Sequence, residues 1–135
     1  MNTRLLISII FLTAVQSLSA QDSLKVSYPL VISFQSQCCG VPTETPLRSF
    51  IIAFKKKYKI KTISASHIGP MGREGEYYLA FKLTELNKKQ TKDFINKVKQ
   101  LKKLPGDKGT FSFNEKMDID PAKLSGRTTI KTVDF

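Results

Sequence analysis

Cys38 and Cys39 stand side by side and are the only cysteines among the 135 residues of the chain. A thiolate is both a nucleophile and a ligand for soft metals, so an adjacent pair opens three readings. The first is oxidation to a vicinal disulfide. Neighbouring Cα atoms lie only about 3.8 Å apart, below the ~4.4–6.8 Å of a relaxed bridge, so such a ring would be strained and easily reduced. The second is coordination of Cu(I) or another thiophilic ion, with His67, the one histidine, and Met71 as further soft donors. The third is structural: small thiols that close a strand, or that pair between two chains.

Other chemistry is sparse. With a single His and no residue identifiable to orient it, the sequence presents no Ser–His or Cys–His system. The 11 acidic residues show no repeated spacing that would suggest a glycosidase pair or a hard-metal site. These residues describe a non-enzymatic protein that binds something.

Charge supplies a second candidate surface. Lys and Arg number 22 against 11 Asp and Glu, a net +11. The lysines gather at positions 55–61 and again between 88 and 103. Lys88, Lys89, Lys92, Lys99 and Lys103 form a basic patch suited to an acidic protein or an anionic cell-surface polymer. Lys is a diffuse point charge, whereas phosphate recognition favours the forked guanidinium of Arg, so nucleic acid is a poor fit.

The elements that must position these groups begin after a leader. Arg4, the uncharged run Leu5–Val15 and the small residues ending at Ala20 have the order of a secretory signal peptide. The run is too short to span a bilayer, which takes ~20 apolar residues. Residues 1–20 are therefore expected to be removed on export to the periplasm or the medium, and no second apolar span follows. Residues 21–117 are expected to form one α+β domain, with 118–135 as an extension.

Within the domain, Leu24–Gln37 reads as a strand, with Leu30, Ile32 and Phe34 alternating against Val31, Ser33 and Gln35. Pro29 marks a bulge or the true strand start. A helix follows, with Thr43 or Thr45 as N-cap, Pro46 in its first turn and an apolar face of Leu47, Phe50, Ile51, Phe54 and Tyr58. Lys61–Ile68 is a second strand. Gly69–Gly75 is a hairpin loop, and Glu76–Thr84 is a third strand with Tyr77, Leu79, Phe81 and Leu83 inward. Asn87 and Gln90 have the spacing of a capping box for a helix that Pro105-Gly106 stops. Thr110–Asn114 is a fourth strand. Asp120–Gly126 suggests a short helical turn, and Thr128–Phe135 a possible extra edge strand.

The order βαββαβ predicts a ferredoxin-like fold: a four-stranded antiparallel sheet with two helices on one face. It also predicts that the loop after the first strand, the hairpin and the loop before the fourth strand share one end. Cys38, Cys39, His67, Met71, Lys102, Lys103 and Lys108 would then be neighbours. The Cys pair would sit just before a helix N-terminus, where the dipole favours thiolate.

This arrangement resembles the heavy-metal-associated domain of copper and mercury carriers, also βαββαβ with thiols after the first strand. The resemblance implies a ligand pair at Cys38 and Cys39, with Lys108 near a loop that often carries a basic residue. In that family two residues separate the cysteines and a Met precedes them; here they are adjacent and follow Ser36-Gln37. RNA-recognition domains and acylphosphatases share the fold. Glu76–Leu83 lacks the Gly-aromatic spacing of the first, and Cys38–Pro42 lacks the phosphate-cradling Arg of the second. Exported protease propeptides and their inhibitor relatives also have this fold, which keeps an inhibitor-like role open.

The leader makes a direct prediction. Edman sequencing of exported material is expected to begin at or next to Gln21. A soluble cytoplasmic product retaining Met1 would refute export.

Overall fold

The computed structural model describes residues 24–102 and 108–135; the expected leader, Lys103 and the helix stop at Pro105-Gly106 lie outside them. The elements are β1 (Val26–Ser36), α1 (Thr45–Tyr58), β2 (Ser64–Gly69), β3 (Tyr77–Phe81), α2 (Lys88–Val98), β4 (Gly109–Ile119) and β5 (Thr129–Asp134). Short 3-10 turns occupy Lys99–Lys102 and Pro121–Lys123. The strands form one antiparallel sheet in the order β4-β1-β3-β2-β5. The sheet has five strands, not the four of the predicted core, because the tail pairs with β2 from Gly69–Thr129 to Ser64–Asp134. No helix among the described residues is long and apolar enough to cross a membrane.

β1 is central. It pairs with β3 from Leu30–Phe81 to Phe34–Tyr77 and with β4 along its whole length. The alternation read from the sequence sends Leu30, Ile32 and Phe34 into the core beneath the helices. Val31 joins a smaller cluster on the opposite face with Tyr28, Ile68, Ala80 and Ile119. The β1–β4 ladder skips one opposed pair, Pro29 and Lys116. Pro29 has no N–H to offer, and Lys116 takes the left-handed φ of +54°. Side-chain direction inverts there: Phe111 and Phe113 pack against the helix-side core, whereas Met117 and Ile119 belong to the opposite face. β4 is consequently longer than the Thr110–Asn114 expected.

α1 buries Leu47, Ile51 and Phe54, one helical face, with Phe50 and Tyr58 half-buried beside them. Its N-cap is Glu44, not Thr43 or Thr45, and no side chain caps the end. Thr43 Oγ1 instead accepts from Thr45 N at 3.2 Å, tightening the turn before the helix. In α2 the capping box is complete: Gln90 N donates to Asn87 Oδ1 and Asn87 N to Gln90 Oε1, both at 2.9 Å. Its buried stripe is Phe94, Ile95 and Val98.

Both helices lie on the same face. Phe94 is the hub between them, 5.3 Å from Phe50, 5.1 Å from Phe54 and 5.7 Å from Phe81 between ring centroids. At the helix surfaces Tyr58 donates to Asp93 Oδ2 at 2.6 Å, and Lys57 and Lys97 approach the same oxygen at 3.5 and 3.4 Å. That hydrogen bond, then the two ammonium groups, holds the Asp93 carboxyl below the usual range.

β2 and β3 are shorter than expected, at Ser64–Gly69 and Tyr77–Phe81. Leu83, expected as an inward strand residue, has a φ of +54° and turns the chain toward α2 while staying buried.

Truncation of Phe94 to Ala is expected to cost ~3–5 kcal/mol, the usual range for a core Phe. Half-buried Phe50→Ala is expected to cost clearly less. Urea unfolding measures both, and equal losses would contradict the packing order.

Candidate functional site

Cys38 and Cys39 are exposed free thiols on the loop between β1 and α1. The loop is braced by the start of β4: Lys108 O accepts from Gln37 N at 3.2 Å and from Cys38 N at 3.5 Å. Gly109 makes this possible. A Cβ on it would lie 2.1 Å from Gln35 O and 2.7 Å from Pro42 Cδ, so only glycine lets β4 begin this close to the loop. The chain then reverses at Cys39, with φ +66°, and Gly40, with φ +120°. Positive φ is uncommon outside glycine, and here it falls on the second thiol itself.

The expected link to the helix dipole is not present. The N-cap is Glu44, five residues beyond Cys39, and a helix-end field fades within about one turn. Accessibility and the turn, rather than a helix terminus, distinguish these thiols.

His67 and Met71 stand elsewhere. The register places His67 opposite Leu79, and Leu79 opposite Ile32, six residues before Cys38. The imidazole stacks on Tyr77 with centroids 4.5 Å apart, and Tyr77 stacks on Phe34 at 4.4 Å. Phe111 closes the column edge-on to Phe34 at 5.0 Å. Gly69 lies under this column, where a Cβ would meet Tyr77 Cβ at 2.7 Å and His67 Cε1 at 3.3 Å. Met71 sits in the hairpin at the β5 side, its Sδ 4.0 Å from Thr128 Oγ1. Among the described residues no three His, Cys, Asp or Glu stand close enough to hold a metal, so Cys38, Cys39 and His67 do not form one ligand cluster.

The basic patch divides. Lys88, Lys89 and Lys92 are exposed on the first turns of α2, with no ion pair among the described residues. Lys88 and Lys92 border an open groove of about 510 Å³ with Thr91, Ile95 and Glu115. Lys99 is paired with Glu115.

One constellation escaped the sequence reading. Tyr77 donates to Glu44 Oε1 at 2.8 Å, while Arg48 Nε and Nη2 reach Glu44 Oε2 at 2.8 and 2.7 Å. The bond joins β3 to the start of α1 across the Cys loop. Inward Tyr77 reads as a core aromatic, and the only hint of the link is a carboxylate just before a helix with Arg four residues on. Burial, then the bond to Glu44, raises the Tyr77 phenol above its ordinary range.

No protein-family model matches the chain, and no curated protein or solved structure is significantly similar to it.

The Tyr77 linkage has a definite sign. Unfolded chains lose the phenolic proton near pH 10, whereas the folded state retains it higher, so stability falls as pH rises above ~10. Urea unfolding between pH 9 and 11 is expected to show a steeper loss in wild type than in Tyr77→Phe. Parallel curves would refute the linkage.

Proposed function

We propose that the chain is an exported, non-catalytic binding domain whose working group is the Cys38-Cys39 turn, a dithiol that takes a thiophilic ion such as Cu(I). The carrying observation is that both thiols are exposed and the chain reverses on the second of them. Adjacent side chains diverge in extended backbone, so two neighbouring thiolates need such a turn to meet one ion. Cu(I) is soft and suits a two-thiolate site, with no need for His67 or Met71. The leader-like first 20 residues support export. We further propose a ferredoxin-like core elaborated by β5; the strand order β4-β1-β3-β2 and the two helices on one face support it.

Lys88, Lys89 and Lys92, without an ion pair among the described residues, favour a second reading. In it the start of α2 is a cationic surface for an acidic protein or anionic polymer, and the groove it borders is the contact.

Native mass spectrometry of the reduced protein is expected to show one bound Cu(I), lost in Cys38→Ser with Cys39→Ser. Binding is expected to survive His67→Ala and Met71→Ala, since both side chains are engaged elsewhere. A reduced wild type that binds no more than the double-Ser protein would refute the metal reading. In that case a mass two units below the reduced monomer identifies a vicinal disulfide, and a covalent dimer identifies pairing between chains.

A further inference from the structure

A groove of about 660 Å³ lies between the β2–β3 hairpin and the turn that precedes β5. Met71, Arg73 and Gly75 line it from the hairpin, and Ser125 and Arg127 from the turn. These loops lie far apart in sequence but are fastened together. Thr128 Oγ1 donates to Pro70 O at 2.9 Å, and Thr129 Oγ1 to Gly69 O at 3.0 Å. Thr128 N donates to Ser125 O at 2.9 Å, which closes the turn, and the β2–β5 ladder begins at the next residue.

Arginine is scarce in this Lys-rich chain: Arg4, Arg48, Arg73 and Arg127. Arg4 lies outside the described residues and Arg48 is held by Glu44. The other two both line this groove, and among the described residues neither makes an ion pair or hydrogen bond. No acid shares the lining. Of the hairpin carboxylates, Glu76 folds back against Gly72 and accepts from Glu74 N at 3.2 Å. Two guanidinium forks that line one groove, with no acid in the lining and no ion pair among the described residues, suit an oxyanion.

Guanidinium groups only donate, so the ligand must be an acceptor such as a tetrahedral oxyanion. The groove is larger than one ion and falls in the ~300–1,000 Å³ range of small-molecule pockets. We propose that it binds a tetrahedral oxyanion, a sulfate or phosphate group, with Arg73 and Arg127 clasping it. This site is independent of the cysteine turn.

The test is calorimetric titration of the full chain at constant ionic strength. The probes are sodium sulfate, sodium phosphate, a sulfated disaccharide and its unsulfated counterpart. Sulfate, phosphate and the sulfated disaccharide are each expected to bind, with no binding of the unsulfated sugar. A disaccharide bound more tightly than either ion would identify an ester as the source of the oxyanion, and one bound no more tightly would identify the free ion. Arg73→Lys and Arg127→Lys keep the charge but lose the fork, and each is expected to weaken binding about tenfold. Lys88→Ala with Lys92→Ala is expected to change it less than about twofold. Absence of binding of sulfate, phosphate and the sulfated disaccharide alike, or equal losses in the lysine and arginine variants, would each overturn the proposal.

Discussion

From Leu30 to Phe34, β1 has neither a free edge nor an exposed face. Its backbone groups are paired on one side with β3 and on the other with β4, and all five side chains are buried. Such a strand admits one register, since a slip by a single residue would exchange Leu30, Ile32 and Phe34 with Val31 and Ser33 and ruin both faces together. Every other placement refers back to it. Phe34 seats Tyr77, Tyr77 seats His67 and reaches Glu44, and Glu44 starts α1. The Cys loop spans the gap between the end of β1 and that helix start, so its two anchors are set by the strand it leaves.

The acidic residues are few, and several of them engage cations. Asp93 gathers a lysine from each helix and the Tyr58 hydroxyl, Glu115 engages Lys99, and Glu44 engages Arg48. Exposed ion pairs contribute little to stability, typically ~0–1 kcal/mol. Their effect here is on the distribution of the field. They engage lysines along the helix–helix seam and the β4 side, whereas Lys88, Lys89 and Lys92 at the start of α2 have no ion pair among the described residues.

Element types and order were legible in the sequence because period-two and helical spacing coincide with real faces: Leu30, Ile32 and Phe34 on β1, and Leu47, Ile51 and Phe54 on α1. The Asn87–Gln90 box was legible for the same reason, as its geometry is local. Strand ends were not. Leu83 and Lys116 adopt positive φ without being glycine, so no residue type announces where β3 stops or where β4 changes face. The cysteine turn was visible as a pair of residues, but its curvature was not, because Cys39 is no usual occupant of left-handed backbone. Topology brought the loops to one end of the sheet, as reasoned. It could not say that His67 would be consumed by an aromatic stack or that Met71 would lie at the β5 side. Those outcomes depend on side-chain packing across strands, which linear spacing does not encode.

The inversion at Pro29 and Lys116 reaches beyond local geometry. A two-stranded ribbon that changes face halfway contributes to both layers of the protein: one half underlies the helices, and the other covers the reverse of the sheet with Tyr28, Met117 and Ile119. The two hydrophobic clusters therefore share a single β1–β4 ribbon. Peeling it away would expose both sides simultaneously, leaving no subset of strands able to persist alone. In amide-exchange language, the ribbon would couple what would otherwise be two foldons, and the slowest-exchanging protons on opposite faces are expected to share one cooperative opening.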